Sequence, residues 1–310
     1  MIDRTQRNTA KLQAYRGVLT EKGVLAADEM RSELLFKRPN QFRSRVLAPE
    51  SYAGVMLVYN GRQLIVYYPK VNYGILFDNL TPPTPSDEQT FIADTYRHNV
   101  ATYNYDMGDA GKVAGLPTLT LDYKAKRRGA IHPSGSVQVY DKYSLPLAST
   151  LRFANGAQYS NRFDEITLNP VLDDELFASP LPKNAIVSRW DISSPGIPES
   201  EMRQQANFDY KLPSHLPAGF TLEKIVRQES PVPAFTVVYR HGTQFIYLSI
   251  FRDTGLRPVS EEHGIPVASG RLLVSPTLSS YTVTQRGTMY IFTTNLPFDQ
   301  MLSTAEDLSS

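Results

Sequence analysis

The sequence contains no cysteine. That excludes disulfides and thiolate-held zinc or iron–sulfur centres, and it fits an oxidising or a reducing compartment equally. Long apolar runs are also missing. The most apolar stretches, YAGVMLVY (52–59) and LIVYY (64–68), fall far short of the ~20 residues a spanning helix needs. Neither sign of charge dominates: 32 Lys and Arg oppose 31 Asp and Glu, for a net charge of +1. A general nucleic-acid binder would carry a large basic excess. Catalytic signatures are absent too. There is no HExxH, GxSxG, GxGxxG or Walker pattern. The five histidines, His98, His132, His215, His241 and His263, are scattered without metal-ligand spacing, and read as solvated or partly buried imidazoles. Asp173, Asp174 and Glu175 cluster where a helix begins, and the positive end of the helix dipole accounts for them. The chain is therefore expected not to be an enzyme and to hold no metal or cofactor.

What is present is strand-forming sequence. Residues 2–14 read as a helix. From Tyr15 onward short segments rich in β-branched and aromatic residues follow one another, bounded by Gly, Pro or Asn. This is the pattern of an antiparallel meander. Pro39-Asn40 marks one turn, because Pro cannot donate to a ladder. Asn60-Gly61 predicts a two-residue type I′ hairpin, with positive φ at both positions. In QFRSRVLA, Phe42, Ser44 and Val46 alternate with Arg43 and Arg45. The next two strands are apolar on both sides: Leu57 and Tyr59 against Met56 and Val58, then Leu64, Val66 and Tyr68 against Ile65 and Tyr67. A sheet apolar on both faces needs cover on both, or a ligand on one.

Cover is expected from residues 82–100, which begin with a Pro-rich loop. Ser86 and Gln89 fit a capping box, and Phe91, Ile92, Thr95, Tyr96 and Val100 form a helical stripe. Strands resume near 113–125, 135–141, 145–154 and 157–168, and NPVLDDELFASPLP reads as a short helical turn that closes a domain. The polar stretch 191–207, with two prolines and a glycine, reads as a linker. Further strands are expected near 220–228, 234–241, 244–252, 271–275, 280–285 and 288–294, followed by a helix over 297–308. The division is thus residues 1–190, a linker at 191–207, and a smaller α+β domain at 208–310.

Many of the 18 tyrosines crowd around the two-faced strands. An apolar pocket with few polar groups suits a lipid chain; burying ~16 carbons gains roughly 12 kcal/mol gross. The one basic run, Lys124, Lys126, Arg127 and Arg128, falls between two strands, where it is either a solvated hairpin tip or a contact for an anionic headgroup or acidic partner.

LFKRPNQFRSRVLAPESYAGVMLVYNGRQLIVYYP (35–69) and LDDELFASPLPKNAIV (172–187) resemble the LolA/LolB lipoprotein-carrier family, over about residues 5–190. KLPSHLPAGFTLEKI (211–225), YRHGTQFIYLSIF (239–251), GRLLVS (270–275) and the final helix resemble the C-terminal domain of the RseB/MucB family. The resemblance implies an α+β chain: an N-terminal curved antiparallel half-barrel covered by helices, then a smaller α+β domain. It implies a periplasmic protein whose signal peptide has been removed, although Met1 fits a natural start equally well. The implied partners are a lipid or acylated lipoprotein and the periplasmic domain of an anti-sigma factor, with no nucleic acid and only peripheral membrane contact. The implied functions are RseB-like regulation or, alternatively, LolA-like lipoprotein carriage. Phe36, Phe42, Val46, Leu57, Tyr59, Val66 and Tyr68 are then expected in the cavity, with Phe91, Ile92 and Tyr96 on its lid, although a one-residue register error would invert the faces. Arg38 matches the family's arginine that latches the lid.

Overall fold

The computed structural model describes residues 2–23, 29–78, 80, 85–127, 129, 131–191, 193–228, 233–242, 244–255, 264–274 and 279–309. Helix α1 (Ile2–Ala10) leads into a meander: β1 (Ala14–Lys22), β2 (Met30–Lys37), β3 (Gln41–Ala48), β4 (Met56–Tyr59), β5 (Leu64–Tyr68) and β6 (Tyr73–Asp78). Helix α2 (Pro85–Thr102) is followed by β7 (Tyr103–Met107), β8 (Gly111–Val113), β9 (Leu116–Ala125), β10 (Ser134–Tyr140), β11 (Leu145–Arg152), β12 (Gln158–Leu168) and β13 (Ile186–Asp191). Among the described residues these thirteen strands form one large curved sheet that is not closed into a barrel. β1 lies in its middle, between β2 and β12. All pairings are antiparallel except that of β13, which runs parallel to β6.

After helix α3 (Glu199–Gln205), a second sheet follows: β14 (Thr221–Gln228), β15 (Ala234–His241), β16 (Gln244–Arg252), β17 (Ile265–Val267), β18 (Gly270–Val274), β19 (Ser279–Gln285) and β20 (Thr288–Thr294). Its order is β14-β15-β16-β20-β19-β18-β17. Helix α4 (Phe298–Ser309) closes the chain, with Met301, Leu302, Ala305 and Leu308 buried along its apolar face. That spacing of three and four residues is the stripe the sequence shows.

Directly opposed residues in a sheet share a face, so the register fixes which side chains gather. Tyr15 opposes Phe36, Phe36 opposes Phe42, Phe42 opposes Tyr59, Tyr59 opposes Leu64, and Leu64 opposes Phe77. One step along each strand, Leu35, Arg43, Val58, Ile65 and Leu76 line up on the reverse face. The reverse face has its own cover. Val58, Ile65 and Leu76 bury against Leu181, while Ala14 and Leu35 bury with Leu172 and Phe177. Gly74 of β6 makes room for this, because a Cβ there would collide with the Leu181 side chain. The segment 172–181, which contains the short turn Asp174–Phe177 expected from DDELF, therefore shields one apolar side of the meander.

Three local expectations change. The Asn60-Gly61 turn is not a two-residue type I′ hairpin. Tyr59 pairs with Leu64, so the loop has four residues, and Gly61 (φ 95°) has positive φ while Asn60 does not. The Asn60 carboxamide oxygen accepts from the backbone N–H of Arg62 (3.0 Å) and Gln63 (2.8 Å), an Asx-type arrangement that fixes the wider loop. Helix α2 begins at Pro85, one residue before the expected cap Ser86, and the side chains of Ser86 and Gln89 lie outside the described residues. The polar stretch 191–207 holds α3, whose Met202 is fully buried, and a β-bridge joins Ile197 to Ile225.

Candidate functional site

Among the described residues, two clefts and one apolar face stand out. The register puts Phe36, Phe42, Val46, Leu57, Tyr59, Val66 and Tyr68 on a single face of the first sheet. Phe36 stacks on Tyr15 at 5.2 Å, and Tyr15 meets the edge of Phe163 at 5.9 Å. Phe42 is buried in one cluster with Leu19, Leu34, Leu147 and Phe163, against which Leu57 and Tyr59 pack. Val113 and Leu116, from the β8–β9 turn, belong to the same cluster. Val46, Val66 and Tyr68 are half-buried. Tyr68 stacks on Tyr73 at 6.4 Å, and burial pushes its hydroxyl up to about 12. Tyr96 is half-buried on α2, whereas the side chains of Phe91 and Ile92 lie outside the described residues.

The second sheet covers part of this face. Phe77, in register with Leu64 and Tyr59, stacks on Tyr247 of β16 at 5.9 Å with 13° between the ring planes. At the sheet edges, the buried Gln228 amide of β14 donates to the Ser188 hydroxyl of β13. Phe153 of the first unit packs on Phe298 at 5.9 Å.

Arg38 follows β2. Its Nε donates to the Leu12 carbonyl (2.7 Å) and its guanidinium to the Thr9 carbonyl (2.8 Å), while its backbone N–H bonds the Gln13 carbonyl. Thr9 lies in the last turn of α1, where its carbonyl also accepts from the Leu12 backbone N–H, and Leu12 and Gln13 follow the helix, so the arginine ties the helix terminus to the turn after β2. In the basic run, Lys124 and Arg127 are exposed, Lys126 donates to the Val100 carbonyl near the end of α2, and Arg128 lies outside the described residues.

The first cleft has a volume of about 700 Å³ and a polar lining that includes Thr20, Arg31, Gln138, Arg162 and Asp164. The second, of about 470 Å³, lies between α2 and α4 and is lined by His98, His132, His215 and His241 with Asp94, Asp299 and Phe220. Neither cleft is lined by Phe36, Phe42, Val46, Leu57, Tyr59, Val66 or Tyr68.

Sequence reasoning missed two buried acids. Asp299, 3 % exposed, accepts from His98 Nε2 and from the Tyr103 hydroxyl, each at 2.9 Å. Burial opposes its ionisation, but the bonds and charges of His98, Tyr103 and His132 together hold its carboxyl below the usual range. Glu21, also 3 % exposed, accepts from the Tyr159 hydroxyl at 2.7 Å, and burial pushes its carboxyl up to about 7. Both partnerships join residues more than a hundred positions apart, so no local motif announces them.

No protein-family model matches the chain. No curated protein matches it either. Solved structures do match. A crystal structure of MucB aligns over 99% of this chain and 94% of its own, with 15% identity and a TM-score of 0.52. The MucA/MucB complex of Pseudomonas aeruginosa aligns over 98% and 95%, with 14% identity and a TM-score of 0.50. The chain has the MucB fold. The likeness runs through both sheets, so the MucB-like architecture extends beyond the C-terminal segments that carried it in the sequence. A LolA superfamily protein from Nitrosomonas europaea aligns over 57% of this chain, with 11% identity and a TM-score of 0.27. No described helix is long and apolar enough to cross a membrane.

Proposed function

We propose that this chain is a periplasmic regulatory protein that binds the periplasmic segment of an anti-sigma factor. The observation that carries the reading is the MucB fold over nearly the whole chain, together with the finding of MucB in complex with MucA. Its two parts are a curved sheet over 1–190 and a smaller α+β unit over 208–310, packed through Phe77–Tyr247 and Ser188–Gln228. A binding role needs no catalytic group. The test is titration calorimetry of the purified chain against the periplasmic domains of the anti-sigma factors of its source organism. Saturable one-to-one binding to one of them is expected; no binding to any would overturn the reading.

A second reading is uptake of a lipid or acylated lipoprotein, by a regulator that senses it or a carrier of the LolA kind. The supporting observation is the register that gathers Phe36, Phe42, Val46, Leu57, Tyr59, Val66 and Tyr68 on one face. Much of that face is packed, so uptake requires Tyr247 and its sheet to move off Phe77. Arg38 then acts as the latch of α1, and Lys124, Lys126, Arg127 and Arg128 meet an anionic headgroup. Native mass spectrometry of protein purified from bacterial envelope tests this: a stoichiometric lipid or acylated peptide is expected, and a clean apo mass that takes up no added lipid would sink it.

A further inference from the structure

Four of the five histidines line one cleft, and each faces an aspartate. His98 and His132 approach Asp299 at 2.9 and 3.6 Å; His215 approaches Asp307 at 3.4 Å; His241 approaches Asp94 at 3.9 Å. Asp299 is the buried member. It sits in the first turn of α4, where its Oδ1 accepts from the Gln300 backbone N–H at 3.0 Å. Its other oxygen faces the first unit: it is bonded to His98 from α2 and Tyr103 from β7, and His132 from the segment before β10 stands 3.6 Å away. This one carboxylate therefore bridges the cover of the first sheet and the helix of the second.

We infer that His98, Asp299 and His132 form a pH-sensitive clasp between the two units, which tightens when the histidines are protonated. Histidine is the side chain whose charge ordinarily changes between about pH 5 and 8. When both rings are neutral, Asp299 keeps two hydrogen bonds from side chains, and His132 Nδ1 is buried with no hydrogen-bond partner. Protonation turns the His98 contact from a bond with one ionised member into an ion pair, adding the attraction of opposite charges 2.9 Å apart to the hydrogen bond. In the imidazolium both ring nitrogens of His132 carry a proton, whichever tautomer the neutral ring adopts, and Nδ1 stands 3.6 Å from the same oxygen. The two imidazoles keep 21% and 24% exposure, so solvent protons reach them.

The other charged and titratable groups around the clasp are Asp94 and Arg97 on α2, Tyr105 on β7, Tyr123 on β9, and His215 and His241 at the cleft rim. Burial first, and the Asp299 charge after it, raise the hydroxyl of Tyr103, which remains a neutral donor. Asp299 is depressed and stays ionised across pH 5.5–8. Against that fixed negative charge every proton gained by the clasp adds an attraction, so the added stability belongs to the acid side and fades as pH rises. This inference does not depend on which partner the chain binds.

The test compares thermal unfolding of the full chain, Asp299→Asn and the double variant His98→Gln/His132→Gln from pH 8 to 5.5. The gap between wild type and Asp299→Asn is expected to widen by about 2–4 °C on acidification. In the double-glutamine background the same substitution should cost equally at both ends. Hydrogen exchange in the first turn of α4, corrected for intrinsic pH dependence, should slow several-fold at pH 5.5 in wild type alone. A gap that is flat, or that widens toward alkaline pH, overturns the clasp. If Asp299→Asn does not fold, the double-glutamine variant carries the same comparison against wild type. Glu21 also titrates near this range, but it is present in every variant and cancels in the differences.

Discussion

Phe77 and Tyr247 stack at 5.9 Å and join the first sheet's apolar face to the second sheet. Tyr247 is 3% exposed, and burial pushes its hydroxyl up to about 12, so it serves this contact as a neutral ring. Stacked aromatic pairs contribute about 0.5–1.5 kcal/mol beyond the area they bury. A double-mutant cycle with Phe77→Leu and Tyr247→Leu, measured by urea unfolding, should return a coupling of that size. A coupling near zero would mean that the two units meet without help from this pair.

Arg38 donates side-chain bonds to the Thr9 carbonyl in the last turn of α1 and to the Leu12 carbonyl just past it. Bonds from a charged donor are worth about 1.5–3 kcal/mol. Arg38→Leu should therefore loosen α1, with exchange of the amides over residues 5–13 rising at least tenfold while the amides of β1 and β12 change little. A uniform rise over both sheets would instead assign Arg38 a global folding role.

How much of this was legible beforehand depended on sequence separation. The alternation in QFRSRVLA and the apolar pairs of LIVYY led correctly to paired strands, and the 298–308 stripe led to α4, because those signals lie within one element. Strand β13 was not read, since its partner β6 lies more than a hundred residues earlier and pairs in parallel. Helix α3 was missed because its buried anchor, Met202, stands among polar neighbours. The Asn60 turn was located but mistyped, because the side-chain oxygen of Asn60 does what a type I′ backbone would have done. Four of the histidines, scattered in sequence, come together only in the fold: His98 stands on α2, His132 before β10, His215 before β14 and His241 at the end of β15.

Glu21 sets a second pH dependence. Its folded-state value of about 7 lies above the ordinary carboxyl range near 4.3. The associated stability is complete below about pH 4, declines as pH rises, and is fully lost above about pH 7, a change on the order of 3 kcal/mol. Glu21→Gln keeps an oxygen for the Tyr159 hydroxyl and removes the charge. Urea unfolding should show this variant more stable than wild type at pH 8 and nearly equal to it at pH 4. An unchanged gap between those pH values would mean that Glu21 does not titrate in the folded chain.

Leu57 tests the apolar face directly. It opposes Ser44 on one side and Val66 on the other, and packs against the cluster that holds Phe42. An aspartate there would place a charge among Phe42, Tyr59 and Leu34, a cost that a folded protein meets by protonating it or by admitting water. Either response spoils a lipid site, so Leu57→Asp should abolish uptake of a fluorescent fatty acid by wild-type criteria. Arg45→Asp, exposed on the reverse face of β3, introduces the same carboxylate on the same sheet, with a larger change in net charge, and should leave uptake intact. Binding of the anti-sigma segment is expected to survive in both variants if it uses surfaces outside this face. A folded Leu57→Asp protein that still takes up the probe would move the lipid away from the β3–β5 face altogether, and the aromatic packing there would then be core and nothing more.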